Sequence, residues 1–294
     1  MLLYDTIKKY GLIGLSALGP NAHTYYVDTN HVNALDADDG EHGNTWEIPF
    51  ATVAYAIGIS NASVGSYNQN TIIINAGTYT EDLTVLPTNC DVIGVGSKVR
   101  IAGNHSDSAW NCHWWNIEFR SGGSSAPIMT LSNSCHGTEF HQCRIKNNSA
   151  NTTIGILVGD GSDGVIDDCY FGGNPQLPIA IKFGGATTIG WKVINNRIGA
   201  TNTGIQLAAS LGSSYQNLIK GNYIGRQDPN SQNQMTYGIA ELKTDGHSGF
   251  AIVNNDIEAV DAIFFTHTGG VNYHQWSCIR NRTNQDGTSA WEDA

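Results

Sequence analysis

The sequence predicts an all-β fold in which the chain winds into a parallel β-helix. Three observations predict it: a composition rich in turn-forming residues, a strand pattern that recurs about every 26 residues, and the lack of a helical pattern between the recurring strands. Two short strands per repeat cannot join into a parallel sheet through helical crossovers. The chain therefore has to coil, and each repeat lies on the one before it.

Composition excludes several other classes of protein. The 294 residues include 34 Gly and 29 Asn, and 40% are hydrophobic, which fits neither a helical bundle nor a disordered chain. The net charge is −11, from 15 basic and 26 acidic residues, so we do not expect nucleic acid as a partner. The 6 Cys form no CxxC pair, and we expect them to be free thiols.

The recurring pattern is a six-residue unit that mostly begins and ends with an apolar residue and has Asn or Cys fourth. The first residues of successive units are 26, 26, 27, 26, 33 and 26 positions apart. The units are Trp114–Phe119, Phe140–Ile145, Ile166–Phe171, Val193–Ile198, Ile219–Ile224, Ile252–Ile257 and Cys278–Thr283. A second apolar series runs between them: Ile128, Ile156, Ile181, Ile205, Ile239 and Ile263. Both series predict strands that stack from coil to coil.

Two positions inside the unit have the residue types that a stacked turn needs. The third position has residues that tolerate the left-handed backbone conformation, Asn195, Gly221, Asn254 and Asp168. The fourth has amides that can hydrogen-bond along the stack, Asn196, Asn222, Asn255 and Asn281, with Cys143 and Cys169 at the same place in earlier coils.

The units, together with the entry segments Tyr25–Asp28, Trp46–Thr52 and Ala76–Glu81, resemble the pectate-lyase-like superfamily. That superfamily includes lyases, hydrolases, bacterial surface proteins and phage spike, fibre and decoration proteins. The resemblance implies a single-stranded right-handed parallel β-helix of about eight to nine coils with a short N-terminal capping helix. It implies the fold more specifically than the function.

We divide the chain into a tail at residues 1–24, a cap with a short helix at 25–70 and a β-helix at 71–294. In the cap, Pro49 suits a first helical turn. Four apolar residues then fall on one helical face, Phe50, Val53, Ala54 and Ile57.

The tail contains an apolar run that is too short to span a membrane, and we expect no membrane span. We expect this segment to anchor the protein by packing on a capsid or tail protein. Its anchoring side chains would be Leu2, Leu3, Ile7, Leu12, Ile13 and Leu15. A retained signal peptide is the alternative.

Four carboxylates within one coil are the best candidates for catalysis, Asp160, Asp163, Asp167 and Asp168. Glu139 and His141 lie one coil earlier, and hydrolysis of a glycosidic bond needs a pair of carboxyl groups. A polar turn is the simpler interpretation of the same residues.

A second acidic group lies in the cap, where Asp36, Asp38 and Asp39 supply the oxygen ligands that calcium prefers. No basic residue adjoins them, so a structural ion is the expected role. We expect no other cofactor.

The fifth position of the unit forms an outer ladder, which points to solvent by strand alternation. Its members are Glu118, Arg144, Tyr170, Arg197, Tyr223, Asp256 and Arg282, and the first five are the candidates for binding a carbohydrate or a partner. Alternating Arg and Tyr side chains can bind the rings and hydroxyls of a carbohydrate, or they can form a seam between subunits. A plain solvated face is the alternative.

Three functions are compatible with these features. The first is a phage virion protein, a homotrimeric spike, fibre or capsid decoration that is anchored by the tail and exposes its β-helix. The second is a polysaccharide hydrolase or lyase of the tailspike type. The third is a secreted bacterial adhesin. We favour the first, because the candidate carboxylates form no coherent catalytic set in the sequence.

The anchoring role of the tail is testable by deleting residues 2–19. We expect the truncated protein to keep its β-sheet circular dichroism spectrum and to be missing from purified particles. Normal incorporation of the truncated protein into particles would rule out anchoring through this segment.

Overall fold

A computed structural model describes residues 22–63, 69–107, 110–132, 135–208, 213–225, 235–242, 249–265, 278–279 and 282–283. The anchoring residues predicted in the tail, Leu2, Leu3, Ile7, Leu12, Ile13 and Leu15, lie outside these ranges, as does the side chain of Asn281. The described strands form three parallel sheets, named A, B and C, which the chain visits in turn.

Sheet A is the largest and has 14 strands. They are β1 (Thr24–Val27), β2 (Asn70–Ile74), β4 (Thr88–Gly94), β7 (Trp110–Trp115), β10 (Cys135–His136), β11 (Glu139–His141), β14 (Gly161–Ser162), β15 (Val165–Asp167), β18 (Thr187–Ile189), β19 (Lys192–Ile194), β22 (Ser213–Tyr215), β23 (Asn217–Lys220), β26 (Phe250–Val253) and β29 (Cys278–Ile279).

Sheet B has nine strands and sheet C has seven. Those of sheet B are β3 (Gly77–Thr80), β5 (Val99–Gly103), β8 (Glu118–Ser121), β12 (Arg144–Asn147), β16 (Tyr170–Gly173), β20 (Arg197–Ile198), β24 (Tyr223–Ile224), β27 (Asp256–Ile257) and β30 (Arg282–Thr283). Those of sheet C are β6 (His105–Asp107), β9 (Met129–Leu131), β13 (Ile154–Val158), β17 (Ile179–Phe183), β21 (Thr203–Leu207), β25 (Tyr237–Glu241) and β28 (Asp261–Phe265).

Among the described residues, the number of complete coils is smaller than the sequence predicts. Six full turns separate the first and last of the seven strands of sheet C. The prediction of eight to nine counts every repeat, whereas the first and last described coils have strands only in sheets A and B. The fold class, an all-β parallel β-helix, is confirmed, and the described residues include one helix.

The core consists of apolar side chains that stack directly above one another. In sheet A, Val193 pairs with Ile219 and Ile219 pairs with Ile252, as the repeat predicts, and all three are buried. The series in sheet C is confirmed from Ile156 onward. Its first member is wrong by one residue, because Met129 is the partner of Ile156.

The turn between sheets A and B holds the coils in register. Every described third position of the unit has a positive φ, namely Asn116, Gln142, Asp168, Asn195, Gly221 and Asn254. At the fourth position, Asn222 Oδ1 accepts hydrogen bonds from the backbone and side-chain N–H groups of Asn196. Asn222 donates in the same way to Asn255. The predicted asparagine ladder is therefore confirmed over these coils.

The two cysteines that precede this ladder, Cys143 and Cys169, are buried, as are three cysteines earlier in the chain. The free thiols are Cys90, Cys112, Cys135, Cys143 and Cys169. The backbone N–H of Cys169 donates to Asn196 Oδ1 over 2.8 Å, so the ladder continues into a coil that has no asparagine at this place. The expectation of free thiols is confirmed for these five residues.

The helix α1 (Val53–Ser63) packs against the first strands of sheet A. It begins four residues after Pro49, which is therefore not in its first turn. Thr52 caps it instead, since Thr52 Oγ1 accepts from Tyr55 N, and the Glu81 carboxylate accepts from the N–H groups of Val53 and Ala54. Ala54, expected on the buried face, is exposed.

Replacing Asn222 with Ala tests the ladder. The change removes the acceptor of two Asn196 N–H groups and the donor to Val193 O, all buried, and should lower the free energy of unfolding by about 3 kcal/mol. Chemical denaturation measures this loss. The exposed Asn202→Ala is the matched control, and an equal loss in both variants would contradict the role of the ladder.

Candidate functional site

The outer ladder stacks as the repeat predicts. Arg144 lies between Glu118 and Tyr170 in the register of sheet B, and Arg197 lies between Tyr170 and Tyr223. Arg144 and Arg197 are exposed, whereas Tyr170 and Tyr223 are half-buried. These four side chains therefore form one continuous row on the outside of the coil.

Glu118 departs from the prediction of an outward, solvated residue. Its side chain is only 3% exposed, because the side chains of its neighbours cover it. Arg100 Nε and Arg120 Nε donate to Glu118 Oε1 over 2.9 and 2.6 Å, and Lys146 Nζ lies 3.6 Å from Oε2. Burial alone would raise the pKa of Glu118, but these cations lower it below its ordinary value. Glu118 is thus an ionised support for the basic residues around it.

Cations and aromatic rings alternate along the rest of the row. Lys146 Nζ lies 5.8 Å from the ring centre of Tyr170, and the guanidinium of Arg197 lies 5.9 Å from that of Tyr223. The hydroxyl of Tyr223 donates to Glu258 over 2.9 Å, which fixes the ring. Aromatic rings beside charged groups suit a polar ligand with flat apolar faces.

Two hollows adjoin this row, on the turn between sheets A and B. The first has a volume of about 480 Å³ and is lined by residues 97–99, 116–118, 142–144, 168 and 170. The second has a volume of about 460 Å³ and is lined by residues 195–197, 221 and 223. We name the row and the two hollows the Arg–Tyr groove.

The four candidate catalytic carboxylates do not meet at one site. Asp160 accepts a hydrogen bond from Thr187 N, and Asp163 accepts one from the Ser162 hydroxyl in the turn between β14 and β15 of sheet A. Asp168 has a φ of 50° in the next turn and lines the Arg–Tyr groove. Asp167 alone lies beside a histidine, on the outer face of sheet A. The arrangement favours structural roles for Asp160 and Asp163.

Asp167 belongs to a group of titratable side chains that we name the histidine cluster: Asp91, His113, Glu139, His141 and Asp167. His141 Nε2 lies 2.7 Å from Glu139 Oε2, and its Nδ1 lies 3.6 Å from Asp167 Oδ2. His113 Nδ1 lies 2.8 Å from Asp91 Oδ1. The ring of Trp115 stacks on that of His141, with 4.0 Å between the ring centres.

Charge and burial oppose each other in the histidine cluster. Burial would lower the pKa of His113, but its hydrogen bond with Asp91 and the charge of that carboxylate raise it above the ordinary value. Burial would raise the pKa of Glu139, whereas its hydrogen bond with His141 and the charge of His113 lower it. The cluster therefore stabilises the ionised form of Glu139 and the protonated form of His113.

Sequence reasoning had grouped Glu139 and His141 with the acidic coil but had missed Asp91, His113 and Trp115. The pairing register shows which sequence signal finds these residues. Trp115, His141 and Asp167 are vertical neighbours, as are Asp91, His113 and Glu139. Extending the repeat to outward positions of sheet A finds Trp115 and His113, since each lies 26 residues before its neighbour.

The three aspartates of the cap have contacts within the protein. Asp36 accepts hydrogen bonds from Ala51 N, Thr52 N and the Thr52 hydroxyl. Asp39 accepts from the backbone N–H groups of His42 and Glu41 and contacts the His42 ring, which lowers the pKa of Asp39 to about 2. Asp38 is exposed. No three His, Cys, Asp or Glu side chains among the described residues are placed to hold a metal ion. The calcium site stays a prediction.

Comparison with solved structures supports the fold. The chain aligns with the Dettilon tailspike protein at a TM-score of 0.53 and 14% identity, over 95% of this chain and 55% of the tailspike. It aligns with the pectin methylesterase of Aspergillus niger at a TM-score of 0.54 and 13% identity, over 94% of this chain and 89% of the other. It aligns with pectin methylesterase PemA of Erwinia chrysanthemi at a TM-score of 0.50 and 12% identity, over 90% of this chain and 94% of the other.

These neighbours have right-handed parallel β-helix folds, and the chain shares that architecture, which confirms the fold that the resemblance implies. No protein-family model matches the chain. No curated protein matches it either. Among the described residues, no helix has the length and apolar composition that crossing a membrane requires.

The effect of Asp91 on His113 is testable by Asp91→Asn. With the carboxylate gone, burial dominates, and the pKa of His113 should fall, as followed by NMR of the imidazole. A raised pKa stabilises the folded state below the ordinary pKa of histidine, and this contribution is lost as the pH rises through the raised value.

Asp91→Asn should therefore cost more stability at about pH 5.5 than at about pH 9. Asp163→Asn, which changes a carboxylate outside the histidine cluster, is the control. A pH-independent difference between wild type and Asp91→Asn would contradict the assignment.

Proposed function

We propose that this protein is a phage virion protein that binds a bacterial surface polysaccharide along its Arg–Tyr groove. In this proposal the protein is a homotrimeric spike, fibre or capsid decoration, and its tail attaches it to a capsid or tail protein. The observation that carries the proposal is the continuous row of Arg and Tyr side chains on the outside of sheet B.

The spacing of this row suits a polymer. Successive coils are about 4.8 Å apart, so each coil offers a polar or aromatic side chain at a regular interval. A tyrosine face can stack on a sugar ring, and a neighbouring guanidinium can donate hydrogen bonds to hydroxyls. Each contact is weak, but contacts repeated along one chain of sugars add to a useful affinity.

The shared architecture supports the virion part of the proposal. The Dettilon tailspike protein aligns with 95% of this chain, so nearly the whole chain corresponds to a tailspike region. The chain spans 55% of the length of that tailspike. Exposure of a rigid coil at a particle surface would place the groove where it can meet a bacterial polysaccharide. The alternative is an adhesin that is secreted or lies on a bacterial cell surface.

A second candidate function is cleavage of the bound polysaccharide, and the histidine cluster favours it. Glu139 and Asp167 flank His141, so two carboxyl groups and a proton carrier lie together beside the aromatic surface of Trp115. The pectin methylesterases among the structural neighbours are enzymes that act on a polysaccharide. Release of reducing ends that requires Asp167 would distinguish cleavage from binding alone.

The glycan-binding role is testable with Tyr170→Ala and Tyr223→Ala. Each variant should weaken binding on an array of bacterial capsular and O-antigen polysaccharides by roughly tenfold, because each loses a stacking face. Tyr215→Ala, which removes an exposed tyrosine from sheet A, is the matched control and should keep the wild-type affinity. Binding unchanged in all three variants, or no binding by wild type, would rule out the groove as the glycan site.

A further inference from the structure

The basic side chains around Glu118, at the edge of the first hollow of the Arg–Tyr groove, concentrate positive charge in an acidic protein. Five of the 15 Lys and Arg residues line this hollow or contact Glu118, namely Lys98, Arg100, Arg120, Arg144 and Lys146. Among the described residues, the carboxylates that line it are Glu118 and Asp168. The chain as a whole has a net charge of −11, so this excess of cations is a local feature.

Glu118 arranges these cations and leaves their outer edges available. Both arginines that contact it, Arg100 and Arg120, use Nε on the same carboxylate oxygen. Arg100 also directs Nη1 to the Thr78 hydroxyl over 3.3 Å. A guanidinium has five N–H donors, so a contact through Nε leaves donors for a further acceptor. One carboxylate thus positions two guanidinium groups and leaves some of their N–H donors available.

The remaining cations are also undercompensated. Lys146 pairs in register with Arg120, so two positive charges lie directly opposite each other on neighbouring strands, an arrangement that is unfavourable by itself. Arg144 lies opposite Glu118 in the same pairing and is exposed. A single buried carboxylate cannot balance Arg100, Arg120 and Lys146 together, and a bound anion would relieve their repulsion.

We infer that the basic side chains around Glu118, beside the first hollow, form an anion-binding site and that the glycan of this protein is an acidic polysaccharide. Its carboxylate, sulfate or phosphate groups would be bound by Arg144, Lys146 and the free edges of Arg100 and Arg120, while Tyr170 stacks on an adjoining sugar ring. This inference rests on the proposed glycan-binding function and adds the chemical class of the ligand.

The test uses three polymers with one backbone: dextran, carboxymethyl-dextran and dextran sulfate of equal chain length. Wild-type protein should bind at least one of the anionic forms at least tenfold more tightly than dextran, and added salt should weaken this binding. The two anionic forms distinguish carboxylate from sulfate recognition.

The double variant Arg144→Gln, Lys146→Gln should lose at least tenfold in affinity for the preferred anionic dextran. The control Lys182→Gln, Lys220→Gln removes the same charge from sheets C and A and should stay within about twofold of wild type. Thermal melts of both variants check that the fold is kept.

Equal affinity for dextran and its anionic forms would overturn the inference, as would equal losses in the two double variants or tighter binding of a DNA duplex. Binding of neutral surface polysaccharides that depends on Tyr170 would then leave the proposed function intact. Failure to bind any polysaccharide, neutral or anionic, would overturn the proposed function as well.

Discussion

Registered stacking of parallel strands is the constraint on which the rest of this structure depends. Each strand in the interior of a sheet hydrogen-bonds to the coil before it and to the coil after it, so no coil has its full set of partners alone. A slip of one residue would move every core side chain to the solvent face. The turn between sheets A and B prevents such a slip, because its third residue takes the left-handed conformation and its fourth, where it is Asn, hydrogen-bonds to the next coil.

The same register creates the surface chemistry. When Ile145, Phe171 and Ile198 stack inside sheet B, the residues before them must stack outside. The existence of an outer row is therefore a consequence of core packing. The residue types in that row are not fixed by the core and can be specialised for binding. Burying Glu118 beneath Arg100 and Arg120 shows such specialisation, since a lone buried carboxylate is costly and becomes stable only with its cations. The Arg–Tyr groove and the core are thus formed by alternate residues of the same repeat.

Much of the fold could be predicted from the sequence, because a repeat reports directly which residues are vertical neighbours. Val193, Ile219 and Ile252 were found in this way, and so were Asn196, Asn222 and Asn255. Prediction failed where the local context overrides the period. Met129 replaces Ile128 as the partner of Ile156, and the helix starts at Val53 because Thr52 and Glu81 cap it there.

The candidate sites were harder to predict, because alternation indicates an outward direction but not what covers a side chain. Glu118 occupies an outward position and is nevertheless buried by long basic side chains from neighbouring coils. The histidine cluster joins residues of successive coils, such as Asp91 and His113, whose spacing of 22 residues differs from the later period. Only the folded structure shows that these residues are in contact.

A spin-label distance across sheet C tests the stacked register most directly. Thr130 and Phe264 are separated by five pairings, through Leu157, Lys182, Gln206 and Ala240. Labels at these two positions should give a narrow distance distribution near 24 Å, five spacings of about 4.8 Å. A broad distribution, or a distance beyond about 35 Å, would show that the coils do not stack in this register.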